Sequence, residues 1–322
     1  MPATTTTAST LIKPVVDDTP TVVKFTNRQL LAVLKAAGMR DMQASGDTNF
    51  RWKVNRAAGN TSAEVYSEGQ GLPTSGNQTW AEAALAWVYH RVVVQITGHL
   101  ADAIGSHYLS DGALGILAGE LQYGIDDLTD LMNNTFLGST NNGLDIAIDS
   151  AGTYAGQARA TITDWQSSET DIAGVLTVAS LTAMYEAIVD NDRGGQPSAL
   201  LMPWNQVTNY AALAGVENGT AAARLVRYIA QPGKAPSIDV GFDPGLTFMG
   251  LPIFGVHDMT DTTIYLIGDA ARGAWEFVNI RPITQKILSL NDDSEARIQV
   301  STGGTLVCRN PRTQAKITTV TA

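Results

Sequence analysis

Between Trp80 and Gly138 the apolar pattern of this chain changes period, and that change constrains the rest. From Ala86 to Ile96 the residues Ala86, Val88, His90, Val92, Val94 and Ile96 fall on one side. Trp87, Tyr89, Arg91, Val93 and Gln95 fall on the other, which is the alternation of a strand. From Ser110 onward Leu114, Leu117, Leu121, Ile125, Leu128, Met132 and Phe136 recur every three or four residues, as on one stripe of an amphipathic helix. Ser110 or Asp111 can cap its start, and Gly138 can close its end. The spacing predicts an extended segment followed by a long helix with a single apolar face.

Upstream, residues 1–21 are polar, rich in Thr and Pro, and read as an arm. Thr26 and Gln29 match a capping box, and a short helix is expected over Asn27–Ala37, ending at Gly38. Its face of Leu30, Leu31 and Leu34 must dock within the subunit or on a neighbour. Phe50, Trp52 and Val54 then alternate with Arg51, Lys53 and Asn55, a strand with one charged face that runs on to Arg56. The polar, glycine-rich stretch Ala57–Gln78 follows before the chain returns at Trp80. Loops above roughly 12 to 15 residues are commonly functional or disordered. Two strands around such a tip suggest a hairpin projecting from the body; a surface insertion is the other reading.

Downstream, Gly143–Trp165 reads as short strands and turns, and Thr177–Asp190 as a helix with Val178, Leu181, Met184, Tyr185 and Ile188 on one side. Asp192–Pro197 breaks it, Ser198–Met202 is a strand of buried type, and Trp204–Ala214 returns to helix. Ala230–Pro244 is loop-like. Strands are expected over Leu246–Val256 and Thr263–Ile267, joined as a hairpin at His257–Asp261. Further strands lie around Arg297–Val300, Thr305–Val307 and Ile317–Val320. The alternation describes a mixed α/β unit within an α+β chain.

Composition narrows the chemistry. A net charge of −10 disfavours a nucleic-acid reader or an anionic lipid surface. One cysteine, Cys308, permits no intramolecular disulfide. No apolar run approaches the roughly 20 residues of a membrane span, and the N-terminus has no secretory pattern. Gly233-Lys234 lacks the first glycine of a phosphate loop, since Tyr228 stands there, and Gly69 and Gly71 are followed by Thr74 where a dinucleotide fingerprint needs a third glycine. His90, His99, His107 and His257 have no metal-ligand spacing, so no metal, cofactor or catalytic group is expected. Asp126, Asp127 and Asp130 read as the solvated face of the long helix.

The order of arm, short helix, hairpin, strand, long helix, α/β unit and returning strands resembles the major capsid proteins of tailed bacteriophages, of the Hong Kong 97 type. Local patterns carry the resemblance: Ile96, Asp102 and Ala103 before the long helix; Met202, Pro203, Trp204 and Tyr210; Gly250, Pro252 and Ile253; and Val307, Pro311 and Ile317. It implies an N-terminal arm over 1–46, an extended-loop hairpin over 47–79 and a peripheral domain with its spine helix over 80–151. An axial domain over 152–280 and returning strands of the peripheral domain over 281–322 complete it.

The implied function is a non-enzymatic structural shell protein that self-assembles into hexamers and pentamers of an icosahedral head around double-stranded DNA. Arg51, Lys53, Arg56, Glu64, Glu68 and Trp80 are the expected inter-subunit contacts. The partners implied are further copies, a separate scaffolding protein, a portal, a cement protein and packaged DNA bound without sequence specificity; the location is the virion, after assembly in host cytoplasm. Ala57–Gln78 contains no lysine, which argues against a covalent crosslink at the tip. Two alternatives stand: an encapsulin-like nanocompartment shell, and a cytosolic α/β enzyme whose site includes Asp126, Asp127 or His257.

Overall fold

The computed structural model describes residues 30–44, 47–55, 65, 67–68, 70–71, 80–97, 112–138, 142–189, 195–217, 246–256, 258–288 and 294–321. Helix α1 (Leu30–Ala36) buries Leu30, Val33 and Leu34, and the Leu30 N–H donates to Asn133 Oδ1 at 2.5 Å. It therefore docks on its own subunit. Strand β1 (Arg40–Gln43) follows, then the antiparallel pair β2 (Asn49–Asn55) and β3 (Trp80–Ala86), and β4 (Val88–Thr97). The single strand expected over Ala86–Ile96 is thus two strands in different sheets. Trp87 makes the corner, its Nε1 donating to Asp47 O at 2.8 Å, and the buried side chains change there from odd positions, Ala83 and Leu85, to even ones, His90 and Val94.

Helix α2 (Gly112–Leu137) is the long helix that the spacing predicts, with Leu128, Met132 and Phe136 buried. After it come α3 (Leu144–Ala147), the small hairpin β5 (Thr153–Tyr154) and β6 (Gln157–Ala158), β7 (Ser168–Val175), α4 (Val178–Val189), β8 (Pro197–Met202) and α5 (Trp204–Glu217). The Ser180 N–H donates to Thr177 Oγ1 at 3.1 Å and the Thr177 N–H to Ser180 Oγ at 3.3 Å, a reciprocal cap that starts α4. The remaining strands are β9 (Thr247–Phe248), β10 (Leu251–Gly255), β11 (Ile264–Gly268), β12 (Trp275–Ile287), β13 (Ser294–Cys308) and β14 (Ala315–Thr321).

Two sheets organise these elements. One is four-stranded, in the order β1-β12-β13-β4; the other is six-stranded, β7-β14-β11-β8-β10-β9. Helix α2 lies against β4, where His90 and Val94 are buried and the His90 and Phe136 rings meet edge-on at 5.7 Å. A Cβ at Gly124 would stand 2.7 Å from Val94 Cγ2, so only glycine permits this approach of helix to strand. On the second sheet, Leu181, Met184 and Ile188 of α4 and Val207 and Tyr210 of α5 share a core with Leu200, Met202, Leu266 and Ile317.

The hairpin expected between Val256 and Thr263 does not form. Strand β8 lies between the two strands, parallel to β10 and antiparallel to β11, with Leu200 opposite both Ile253 and Leu266. The nearly continuous burial of Pro197–Met202 is that of a central strand, which needs a partner on each edge. The tight turn that does occur joins β9 to β10 through Met249 and Gly250, at φ 49° and 84°, the left-handed pair of a type I′ hairpin. Strand β13 unites the two strands expected near Arg297 and Thr305. Strand β14 joins β7 and β11, so residues 281–322 divide between the two sheets.

Candidate assembly interface

Strand β2 turns Trp52 and Val54 inward and leaves Arg51 and Lys53 exposed, as its alternation predicts. The base of the hairpin is stitched to the body. Ala84 N–H donates to Ala155 O at 3.0 Å and Gln157 Nε2 to Glu82 O at 2.6 Å. Trp52 faces Trp165 at 6.5 Å and Phe50 at 5.7 Å between ring centroids, and the Arg309 guanidinium lies 5.6 Å from the Phe50 ring. Arg309 is held in turn by Glu276 at 2.6 Å. The paired strands, up to Asn55 and Trp80, therefore lie on the body of the subunit.

Beneath the hairpin lies a knot centred on Arg159, whose side chain is 1% exposed. Its guanidinium donates to the carbonyls of Ile146 (2.8 Å), Ala147 (2.9 Å), Ala151 (2.9 Å) and Trp165 (3.3 Å), and stands over the Tyr154 ring. Burial lowers the Arg159 pKa, while Asp149 and the neighbouring groups oppose that shift. The Tyr154 hydroxyl accepts from the Cys308 N–H at 2.8 Å, and burial pushes the Tyr154 and Cys308 pKa values well up, so both stay neutral. A second tie holds the six-stranded sheet to α3 and the turn after it: Lys316, 5% exposed, lies 3.4 Å from Asp145, 3.5 Å from Asp149 and 3.5 Å from Glu169. Neither cluster was legible in the sequence, because their members come together only through the tertiary fold.

The exposed side of the hairpin is where the expected contact residues lie. Arg51 bonds Glu82 across the strands at 2.8 Å and approaches Asp47 at 3.6 Å, so much of its charge is met within the subunit. Lys53 stands opposite Glu82 and lines a shallow cleft of about 370 Å³ with Val54, Asp164, Trp165, Arg309, Asn310 and Arg312. Trp80 is 58% exposed at the end of β3, Val65 is 99% exposed, and Glu68 is also exposed. Arg56, Glu64 and His257 lie outside the described residues.

Of the acidic residues of α2, Asp126 accepts from Gln122 one turn away, and Asp127 and Asp130 are exposed. Among the described residues, no group of three or more His, Cys, Asp and Glu side chains is placed to hold a metal ion, and no helix is long and apolar enough to cross a membrane.

No protein-family model and no curated relative matches the sequence. Solved structures do. A subunit of the cyanophage A-1(L) capsid asymmetric unit aligns over 94% of this chain and 95% of its own, at 18% identity and a TM-score of 0.64. A chain from Mycobacterium phage Bobi aligns over 92% and 93%, at 11% identity and 0.59. The SrpI encapsulin of Synechococcus elongatus aligns over 96% and 94%, at 12% identity and 0.57. The described topology and these end-to-end alignments together give this chain the Hong Kong 97-type fold that phage capsid and encapsulin subunits share.

Proposed function

We propose that this chain is the major capsid protein of a tailed bacteriophage, a non-enzymatic subunit that assembles with copies of itself into hexamers and pentamers of an icosahedral head around double-stranded DNA. The observation that carries the proposal is the alignment over nearly the full length of both chains with a capsid subunit. The cyanophage capsid subunit aligns at a TM-score of 0.64, whereas the encapsulin, at 0.57, falls among the other phage chains at 0.55 to 0.59, so the virion reading leans on the cyanophage subunit. The placement of Asp126, which accepts from Gln122 on its own helix, and of the exposed Asp127 adds nothing to the enzyme reading.

In this reading, residues 47–79 are the extended loop that reaches a neighbour, and 80–151 with the returning strands of 281–322 form the peripheral domain. Residues 152–280 form the axial domain, and 1–46 the N-terminal arm, whose α1 and β1 are docked on the subunit itself. Arg51, Lys53, Arg56, Glu64, Glu68 and Trp80 make inter-subunit contacts. Trp80 is the strongest of these, because a large exposed aromatic at the root of a long loop is a typical interface anchor. A separate scaffolding protein, a portal and a cement protein are the expected partners, and DNA is enclosed without sequence-specific contacts.

Negative-stain electron microscopy beside light scattering tests the proposal. Uniform closed particles or capsomer rings are expected, from the protein alone or with its scaffolding protein. A persistent monomer under both conditions and across salt concentrations would refute it.

A further inference from the structure

The four-stranded sheet has a second face, turned away from α2. Its near half is roofed: Val278, Thr305 and Val307 are buried, and Asn142 Nδ2 bonds both Thr305 Oγ1 at 3.0 Å and Ala86 O at 2.9 Å. Its far half is exposed at Tyr89, Arg91, Arg281, Thr284 and Lys286 and part-buried at Arg297. Residues directly opposed across a sheet share a face, so the register places four cations here: Arg91 opposite Ser301, Arg297 opposite Gln95, Arg281 opposite Gly303 and Lys286 opposite Gln299. No Asp or Glu occupies a paired position on this half. Arg91, Arg281 and Lys286 are exposed, and none forms an ion pair with a described residue. Tyr89, 62% exposed, lies over Gly303, where a Cβ would come within 2.7 Å of its ring and 3.2 Å of Ile280 Cγ2, so two apolar groups sit among the cations.

Such a cluster is out of keeping with a chain of net charge −10. Like charges gathered on one sheet face repel, and Arg91, Arg281 and Lys286 have no described carboxylate beside them. We infer that this far half docks carboxylates presented by a second copy of the same chain. The rest of the molecule supplies the complement, since 31 acidic residues stand against 21 basic ones. Phosphates of nucleic acid are the weaker candidate, because the surrounding negative field repels a polyanion, whereas a neighbouring subunit can bring a local carboxylate patch into register. The inference rests on the shell reading and adds to it a receiving surface on the sheet, distinct from the hairpin.

The test is the double variant Arg91→Glu with Arg281→Glu, compared with wild type and with Arg272→Glu, a control that among the described residues pairs with its neighbour Asp269. Light scattering and electron microscopy read assembly across salt concentrations, circular dichroism reads folding, and a gel shift with double-stranded DNA reads phosphate binding. The folded double variant is expected to need at least about tenfold more protein to assemble, equivalent to roughly 1.4 kcal/mol. The control is expected to match wild type. Assembly of the double variant at wild-type concentration and salt dependence overturns the inference and leaves the shell reading intact. Unchanged assembly with loss of DNA binding reassigns the face to phosphate. Wild type that never assembles removes the shell reading and this inference with it.

Discussion

Arg159 shows how one residue can hold a region that has almost no regular structure. Its guanidinium joins the carbonyls of four residues between Ile146 and Trp165, satisfying acceptors that short turns cannot pair among themselves. Arg159→Met should destabilise the subunit by at least about 3 kcal/mol, because buried carbonyls left without donors each cost roughly 1–3 kcal/mol. Urea unfolding measures this, and a loss below about 1 kcal/mol would contradict the role. His90 offers a pH-dependent counterpart. It is buried between β4 and Phe136, neither ring nitrogen has a hydrogen-bond partner, and burial lowers its pKa below the ordinary 6.5. The unfolded chain then takes up the proton first, so this contribution to stability is present above about pH 6.5 and falls as pH drops toward the folded-state value. His90→Phe should keep the packing and flatten the slope of urea midpoint against pH between about 5 and 7. An unchanged slope would assign the acid sensitivity to other groups.

At the scale of elements, the decisive contact is α2 on β4. The stripe from Leu121 to Phe136 could be read directly, because a helix buries one face and its period is fixed by backbone geometry. The depth of the contact could not, because it depends on which strand residue Gly124 meets. Gly124→Leu should cost about 1–3 kcal/mol by overpacking against Val92 and Val94, with a lower urea midpoint and an unchanged fold by circular dichroism. A neutral result would mean that the helix can shift along the strand at no cost. The same contrast separates the strands that were anticipated from those that were not. Phe50–Asn55 alternates cleanly because one face is covered and the other is wet. Strand β12 was missed as an element: Pro282 interrupts its pattern, and its register shifts on both sides of Arg281.

For the whole molecule, removing the residues beyond the paired hairpin separates folding from assembly. Deletion of Ala57–Gln78, with a short turn joining the strand ends, should leave the thermal midpoint within a few degrees of wild type, because the base of β2 and β3 is tied to the body. Stable shells should not form. A deletion variant that cannot fold would show that the loop is part of the core. The periodicities determined much of this protein: the one-sided long helix, the half-buried hairpin strands, the buried strand at Ser198–Met202 and the helix after it are local consequences of side-chain spacing. The segment order also carried the resemblance that the structural alignments bear out at the level of fold. Strand partnership was decided only in three dimensions. Strand β8 parts β10 from β11, β14 crosses to the six-stranded sheet, and Arg91 of β4 meets Arg281 and Lys286 of β12 on one face although the two strands lie far apart in the chain. Alternation fixes which way a side chain points along its own strand, but not which strand lies beside it. That choice depends on which apolar faces can be buried together once the whole chain is present.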